Sequence, residues 1–358
     1  MASEAIRESP LDLVGCRRQV VACLREFFAG KEGAVRAGRL PQEAVEVIRE
    51  FVLAGGKRLR PLLCLVGWTA GGGCAPTPTG VVRVAASLEV FHAFALIHDD
   101  IIDGAGLRRG QPAVHCQMAA RHAGRPDAAA LAVNGAMLLG DLALVWSDEL
   151  LATAPLVAWQ RRAIGPLVGV MREELAHGQY LDLLAAGRLS SDLGLALQIC
   201  RAKTARYTIE HPLLIGATLA GAGRAVTDGL SAFAVPLGDA FQLRDDLLDA
   251  FGDPAVTGKP ACGDLRAGKP TVLTALALQD ADAAQKQALR AAIGAPADAP
   301  TVSRARTVLE ETGARVRTER MIAECCRSAL DTLQSMPLPA PAVATLRALA
   351  AEATTRTA

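Results

Sequence analysis

Asp99-Asp100-Ile101-Ile102-Asp103 is the first of two DDxxD motifs, and Asp245-Asp246-Leu247-Leu248-Asp249 follows about 146 residues later. Each motif stands in an apolar stretch with helical periodicity. On an α-helix, which turns about 100° per residue, the three carboxylates of a motif fall within an arc of about 100°. Because neighbouring carboxylates repel each other and are costly to desolvate, such a face requires cations. The pair therefore predicts two acidic walls that face each other across a cavity and hold Mg²⁺ ions around a polyphosphate.

Helical periodicity extends over most of the chain and predicts an all-α fold. Pro166 and Pro212 are expected to kink or interrupt two of the long helices. Patterns typical of β-strands are nearly absent, and no shift in composition marks a boundary, so we expect residues 1–358 to form one large helical bundle with a central cavity. The expected helices begin with an amphipathic helix over residues 11–28 and continue at residues 83–102, 128–151, 161–185, 193–220, 230–251, 289–293, 302–312, 315–333 and 340–351.

The composition excludes some classes of protein. Half of the 358 residues are hydrophobic but only 4% are aromatic, which favours a core of Ala, Leu and Val. The formal net charge of +1 gives no reason to expect nucleic-acid binding by bulk electrostatics. Nine scattered cysteines without a CxxC pair are typical of reduced core residues in a cytosolic protein.

Two segments bear on targeting. Residues 1–10 have no apolar region typical of a secretory signal, so a cytoplasmic location is expected. Residues 128–146 are apolar enough to suggest a membrane span, but Asn134, Gly135, Gly140 and Asp141 interrupt them. We therefore expect a buried helix of the bundle and no membrane span.

Basic and polar residues recur at particular positions relative to the acidic motifs. Lys57 and Arg60 lie three residues apart in the sequence GGKRLRP, and a Gly-bounded LRRG follows the first motif. Cations at such positions would neutralise the phosphate groups that the metal ions hold. The remaining candidates are Lys203 and Thr204 in an apolar helix, Gln242 three residues before the second motif, and Lys259 and Lys269 after it.

This ordered set resembles the trans-prenyl (E-type isoprenyl) diphosphate synthases of the polyprenyl synthetase family. The resemblance rests on GGKRLRP, His92 seven residues before DDIID, and then LRRG, KT, FQLRDDLLD, TGKP and GDLRAGKPT. These motifs run in family order from about residue 50 to residue 275. The resemblance implies the all-α isoprenoid synthase fold, an isoprenoid-biosynthesis enzyme and a homodimer.

The resemblance also implies a role for each matching residue. Asp99, Asp103, Asp245 and Asp249, with Asp100 and Asp246 beside them, would bind up to three Mg²⁺ ions. The allylic diphosphate would be bound by Arg108, Lys203, Thr204, Gln242, Lys259 and Lys269. Isopentenyl diphosphate would be bound by Lys57, Arg60, His92 and Arg109. The residues expected to act in catalysis itself are Asp99, Asp100, Asp103, Arg108, Lys203, Asp245, Asp246 and Lys259. His98 is interpreted as structural support, and Asp182 as a carboxylate that supports the site.

The implied reaction is an ionisation, condensation and elimination. An allylic diphosphate loses pyrophosphate, the cation is attacked by isopentenyl diphosphate, and a proton is lost to give a trans double bond. In this family the departing pyrophosphate is thought to take the proton, so no protein base need be sought.

Phe94 and Ala95, which precede the first motif, bear on product length. Phe94 lies five residues before Asp99, which is about 7.5 Å along a helix, and Ala95 lies on the same face as Asp99. A small Ala95 would let the product tail pass, and Phe94 would narrow the tunnel beyond it. This pattern is similar to that of short-chain members that make the C20 product geranylgeranyl diphosphate, with the C15 product farnesyl diphosphate as the alternative.

Two further hypotheses stay open. A class I terpene cyclase shares the helical fold and one DDxxD, but it would carry a different second metal motif and would lack Lys57 and Arg60. A non-catalytic partner subunit would have lost carboxylates from one motif, whereas this chain keeps both. The sequence does not identify the preferred allylic primer.

Overall fold

The computed structural model describes residues 10–253 and 261–355, and side chains up to residue 352. A π-helical segment, Arg201–Glu210, joins α8 to α9, and a short antiparallel hairpin pairs β1 (Leu107–Arg108) with β2 (Gln111–Pro112). The helices are α1 Leu13–Arg36, α2 Gln42–Leu53, α3 Leu59–Ala70, α4 Thr79–Ile102, α5 Val114–Arg121, α6 Ala128–Ala152, α7 Ala158–Ala185, α8 Leu193–Cys200, α9 His211–Leu219, α10 Arg224–Phe251, α11 Gly263–Arg266, α12 Val272–Asp280, α13 Ala283–Ala291, α14 Pro300–Glu311, α15 Ala314–Gln334 and α16 Ala340–Thr355.

The all-α prediction is confirmed, with differences in the extent of individual helices. Helix α10 begins at Arg224, before the expected start at residue 230, and continues through Pro236. Of the kink or interruption expected at Pro166, the interruption is wrong, because helix α7 continues through this residue. Pro212 lies in the first turn of α9, where the missing N–H costs little.

Side-chain caps fix several helix starts. The Asp12 carboxylate accepts a hydrogen bond from the backbone N–H of Gly15 at 2.8 Å and starts α1. At α13, Asp282 and Gln285 form a reciprocal capping box, with bonds of 2.7 and 3.0 Å. Such caps satisfy backbone N–H groups that have no partner within the helix.

The buried side chains form two apolar clusters. One cluster is built mainly from α10, α12, α14 and α15, with Phe233 among its largest members. The other joins α1, α2, α4 and α6, where Phe27 and Phe28 contact Trp146 edge-on at centroid distances of 6.3 and 5.9 Å. Helix α4 carries the first acidic motif and α10 the second, so the packing of both clusters sets where the motifs lie.

The region expected as one helix over residues 193–220 contains the wide π-helical turn. Glu174 on α7 accepts hydrogen bonds from Arg206 at 2.6 Å and from His211 at 2.7 Å, so it ties the π-helical segment to the start of α9. Burial opposes ionisation of Glu174, but His211 and Arg206 outweigh it and lower the pKa of its carboxyl. π-Helical segments are frequently found at functional sites, and this one carries Lys203, Thr204 and Tyr207.

Helix α6 departs from the expectation of a buried helix. Its most apolar stretch is only 28% buried, whereas that of α4 is 72% buried. Val133, Met137, Leu138 and Val145 are each more than 40% exposed. The apolar composition of α6 therefore reflects a face that has no partner within the described part of one chain. By length and composition alone, both helices are long and apolar enough to cross a membrane.

Two glycines allow α3 and α9 to approach closely. A Cβ atom on Gly216 would lie 1.8 Å from the carbonyl oxygen of Cys64, and one on Gly67 would lie 2.1 Å from that of Leu213. Contacts this short with rigid backbone cannot be relieved by a side-chain movement.

We expect Gly216→Ala to lower the free energy of unfolding by about 1–3 kcal/mol, because α3 and α9 would have to separate. Urea denaturation followed by circular dichroism measures this loss. The matched control is Gly30→Ala in α1, where nothing lies within 4 Å of the added atom. That change should leave stability unchanged or raise it by up to about 1 kcal/mol. Equal effects at the two positions would refute the interpretation.

Candidate active site

A cavity of about 520 Å³ lies between α4, α7, α8, the π-helical segment and α10. Its lining combines polar side chains with apolar and small ones. The polar residues are Arg60, His92, Asp99, Arg108, Gln179, Asp182, Lys203, Thr204, Tyr207, Gln242, Asp245, Asp246, Asp249, Asp264, Lys269 and Thr271. The apolar and small residues are Ala95, Leu96, Leu175, Ala196, Ile199, Cys200, Leu248, Pro270 and Val272.

The first acidic motif ends α4, with Asp99 and Asp100 in the last turn and Asp103 directly after it. Arg108, on β1 of the hairpin, donates through Nε to Asp100 at 2.8 Å and through Nη2 to Asp99 at 3.1 Å. Burial raises the pKa of Asp100, although the hydrogen bond from Arg108 opposes the shift. Asp100 is fully buried and does not line the cavity, so its contact in this structure is to Arg108.

The second acidic motif lies near the end of α10, and all three of its aspartates line the cavity. Asp249 accepts a hydrogen bond from the backbone N–H of Asp264 at 3.0 Å. The side-chain amide of Gln242 donates to Asp246 at 2.7 Å. Burial raises the pKa of Asp246 well above its ordinary value, and the carboxylates of Asp264, Asp245 and Asp249 add to the shift. Crowded carboxylates in such a cavity favour the arrival of cations.

Two lysines and Asp182 connect this acidic lining. Lys203 lies 3.0 Å from Asp99 and 2.6 Å from Asp182, and Lys269 lies 2.6 Å from Asp103 and 3.9 Å from Asp182. Burial opposes the charge of Lys203, but Asp99 and Asp182 outweigh it and raise the pKa of the ammonium. Burial likewise opposes ionisation of Asp99, yet Lys203 and Lys269 lower the pKa of its carboxyl. Both lysines are therefore held charged at the cavity.

A second polar group lies where α3 and α4 meet the π-helical segment. The Arg60 guanidinium stacks on the ring of Tyr207, 4.2 Å from its centroid, and donates to the Thr208 hydroxyl at 2.6 Å. The Tyr207 hydroxyl lies 3.2 Å from Nδ1 of His92. Burial and the charge of Arg60 lower the pKa of His92 well below its ordinary value, so the ring is neutral at pH 7. Arg60 and His92 thus both line the cavity.

Lys57 and Arg109 lie next to this group without lining the cavity. Arg109 donates to the carbonyl oxygen of Gly55 at 2.7 Å, so it holds the glycine loop that carries Lys57. The Lys57 ammonium lies 3.0 Å from the carboxylate of Glu352 on α16, and both side chains are more than half exposed. An exposed ion pair of this kind contributes little to stability, so Lys57 can exchange Glu352 for another anion.

The residues predicted to set product length take different positions. Ala95 lines the cavity, whereas Phe94 is not among its lining residues. The Phe94 ring packs against the rings of Phe91 and His98, with centroid distances of 5.4 and 4.7 Å. His98 also lies 3.1 Å from the carbonyl oxygen of Met137, in line with a supporting role. Thr204 lines the cavity, and Lys259 lies outside the described residues.

Sequence reasoning assigned no role to Asp264 or Tyr207, which are among the polar lining residues. Asp264 stands in the quoted sequence GDLRAGKPT, and its backbone caps the second motif. Tyr207 is 3% exposed and joins Arg60 to His92. The sequence signal for Tyr207 was its position three residues after Thr204 in a chain with only two tyrosines. Asp182, interpreted as a supporting carboxylate, bridges both lysines.

An all-helical fold with two DDxxD motifs and basic residues around one cavity defines a trans-prenyltransferase. The crystal structure of geranylgeranyl pyrophosphate synthase from Corynebacterium glutamicum, complexed with isoprenyl diphosphate and magnesium, matches with a TM-score of 0.91 and 39% identity over 97% of this chain and all of that chain. Geranylfarnesyl diphosphate synthase of Aeropyrum pernix is 32% identical over 290 residues, which cover 80% of this chain and 86% of the relative. The all-trans-nonaprenyl-diphosphate synthase (geranyl-diphosphate specific) of Rhodobacter capsulatus is 28% identical over 90% of this chain and 92% of its own length.

The polyprenyl synthetase family model matches residues 41–311, which is well over half of the chain. The chain belongs to the polyprenyl synthetase family, and it is an enzyme that transfers prenyl groups.

Buried Tyr207 makes stability depend on pH in the alkaline range. Burial raises the pKa of its phenol from 10.0 to about 12. Because the folded pKa exceeds the unfolded one, this contribution to stability is complete below pH 10 and is lost as the pH rises to about 12. Between pH 9 and pH 11.5 the free energy of unfolding of the wild type should fall. In Tyr207→Phe we expect this fall to be smaller by about 2 kcal/mol, because the buried phenol is absent.

Urea denaturation at the two pH values measures the difference. Tyr180→Phe, at a side chain that is 60% exposed, is the control and should behave as the wild type does. An alkaline loss that is the same in Tyr207→Phe and the wild type would contradict the assignment.

Proposed function

We propose that this enzyme condenses isopentenyl diphosphate with allylic diphosphates in a Mg²⁺-dependent reaction, with geranylgeranyl diphosphate as the product. The observation that carries the proposal is that Asp99 of the first motif, the whole second motif and two charged lysines line one cavity together with apolar residues. The proposal treats residues 1–358 as one functional domain.

The carboxylate lining fits Mg²⁺. Within residues 10–253 and 261–355, no three His, Cys, Asp or Glu side chains converge on one ready ion position. Mg²⁺ is commonly bound by one or two carboxylates together with substrate phosphates, so the donor set suits ions completed by a diphosphate. The ligands proposed for up to three ions are Asp99, Asp103, Asp245 and Asp249. When bound, such ions neutralise the charge that develops on a leaving diphosphate.

The side chains proposed to act on the allylic diphosphate are those already charged at the cavity. Arg108, Lys203 and Lys269 donate hydrogen bonds to its oxygens, with Thr204 and Gln242 beside them and Lys259 added from the sequence. Asp100 holds Arg108 in place. As the allylic C–O bond breaks, its electron pair leaves with the diphosphate, and these donors stabilise that charge.

The second substrate is proposed to bind beside the first. The diphosphate of isopentenyl diphosphate is surrounded by Lys57, Arg60, His92 and Arg109. The apolar residues of the cavity lining exclude water from the allylic cation. The C=C bond of isopentenyl diphosphate then attacks the cation, which forms the new C–C bond. The departed diphosphate accepts the proton whose loss gives the trans double bond, so no protein base is required.

The C20 product rests on the pattern at Phe94 and Ala95. Ala95 leaves room on the cavity wall, and the Phe94 ring belongs to an aromatic group with Phe91, whose ring contacts Tyr207 at 5.8 Å. Relatives named for longer products have similar sequences, so overall similarity does not select the length. A C15 product is the second candidate, favoured by the limited volume of about 520 Å³.

The exposed apolar face of α6 supports a homodimer. Val133, Met137, Leu138 and Val145 would be covered if α6 packed against a second copy of the chain, which we propose in place of a membrane span. We propose a cytoplasmic location for this dimer, in agreement with cysteines that form no disulfide among the described residues.

Purified protein with Mg²⁺, isopentenyl diphosphate and a C5, C10 or C15 allylic diphosphate should form longer prenyl diphosphates. Chromatography after dephosphorylation gives their length. Asp249→Asn should lower kcat about 10²–10³-fold, because charge stabilisation at the leaving group is lost. Asp228→Asn, an exposed carboxylate on the same helix, is the control and should retain activity. Absence of condensation with all three primers would defeat the proposal.

We expect Phe94→Ala to shift the products beyond C20, because loss of the ring opens space past Ala95. Chromatographic sizing of the prenyl alcohols measures the shift. Phe51→Ala removes a ring of the same size from α2, a helix that contributes no residue to the cavity lining, and should leave the product lengths unchanged. A product distribution that does not move in Phe94→Ala rules out Phe94 as the end of the tunnel.

A further inference from the structure

A buried ion pair lies beneath the loop that carries Lys57 and Arg60. Nη1 of Arg58 donates to the carboxylate of Glu89 on α4 at 2.7 Å, and Nη2 donates to the carbonyl oxygen of Val52 at 2.7 Å. The side chains of Arg58 and Glu89 are only 3% and 5% exposed. Neither residue lines the cavity. A charged pair this deeply buried is costly to desolvate, so its presence calls for an explanation.

The backbone of Arg58 shows what the ion pair holds in place. Arg58 has φ of +49°, a left-handed conformation that is costly for a residue with a Cβ atom. Such a conformation persists where surrounding contacts fix it. Here the contacts are the bonds from Arg58 to Glu89 and Val52. Helix α3 begins at the next residue, so this conformation directs its first turn, which contains Arg60.

Glu89 also faces other guanidinium groups. The Arg109 guanidinium lies against Gly56, where an added Cβ would be 2.8 Å from Cζ of Arg109. Burial lowers the pKa of Arg109, Glu89 opposes that shift, and the positive charges of Arg58, Arg108 and Arg60 add to it. Glu89 is therefore a carboxylate within a group of mutually repelling cations. A buried negative charge there keeps these cations close together.

We propose that Glu89 is a positioning residue for the second diphosphate. Its carboxylate fixes Arg58, and through Arg58 it holds residues 55–60 in the shape that presents Lys57 and Arg60. This inference rests on the proposed function, in which Lys57 and Arg60 bind isopentenyl diphosphate. Glu89 does not itself line the cavity, so it acts through these neighbours.

Two variants separate positioning from general stability. Glu89→Gln keeps the shape of the side chain but leaves the buried Arg58 charge without its counter-ion, which can also impair folding. The double variant Arg58→Met/Glu89→Met removes both charges and fills a similar volume, a replacement that buried ion pairs often tolerate. It cannot restore the hydrogen bond to Val52, so the loop loses its anchor even where the fold is intact.

The experiment measures kcat and KM for isopentenyl diphosphate and for the allylic substrate, with calorimetric titration of isopentenyl diphosphate and the Tm of each variant. In both variants we expect KM and Kd for isopentenyl diphosphate to rise at least tenfold, while KM for the allylic diphosphate changes less than twofold. Glu89→Asp should recover part of the affinity. Glu149→Gln, which makes the same change in an ion pair with Lys31 outside the cavity, should leave both KM values unchanged.

A stable double variant with wild-type affinity for isopentenyl diphosphate would overturn the proposal, as would an equal rise in both KM values. If Glu89→Gln does not fold, the double variant carries the test. Lys57→Ala identifies a failure at the earlier step. If the wild type does not condense, or if Lys57→Ala leaves KM for isopentenyl diphosphate unchanged, the proposed function fails independently of Glu89.

Discussion

The balance between carboxylates and cations at one cavity is the constraint on which this structure depends. Acidic groups crowded in a medium of low dielectric raise one another's pKa, as burial and neighbouring carboxylates do at Asp246. At Asp99 of the first motif the opposite holds, because Lys203 and Lys269 outweigh burial and lower the pKa of its carboxyl. The carboxyls of Asp99 and Asp246 thus differ before any ligand binds: two lysines favour ionisation of Asp99, whereas burial and neighbouring carboxylates oppose ionisation of Asp246.

The backbone brings these charges together through local departures from regular helix. The π-helical segment places Lys203, Thr204 and Tyr207 at the cavity. Glu174 on α7 accepts hydrogen bonds from Arg206 within this segment and from His211 directly after it. Close packing of α3 on α9 at Gly216 fixes the helix that carries Arg60 relative to the turn that carries Tyr207. Stacking of Arg60 on Tyr207 at 4.2 Å depends on both arrangements.

The parts of this molecule that sequence predicts are those with a local cause. Helical periodicity is local, so the all-α fold and most helix positions follow from it. The π-helical turn is not local, because it is stabilised by Glu174 from another helix. The bridging role of Asp182 likewise depends on distant side chains, Lys203 from the π-helical segment and Lys269. The exposed face of α6 is another such case, since an apolar helix reads the same whether it is covered by its own chain or by a second one.

The two polar groups at the cavity suggest why one diphosphate would leave and the other would stay. Carboxylates recruit divalent ions, and the proposed allylic site contains both motifs, so the diphosphate bound there gains the charge neutralisation that makes it a good leaving group. Near Arg60 the negative charge is that of Glu89, whose carboxylate accepts a hydrogen bond from Arg58 and does not line the cavity. A diphosphate held there by guanidinium and ammonium groups alone would be bound without being activated. The placement of the carboxylates thus reinforces an intrinsic difference between the substrates, because only the allylic C–O bond breaks to give a resonance-stabilised cation.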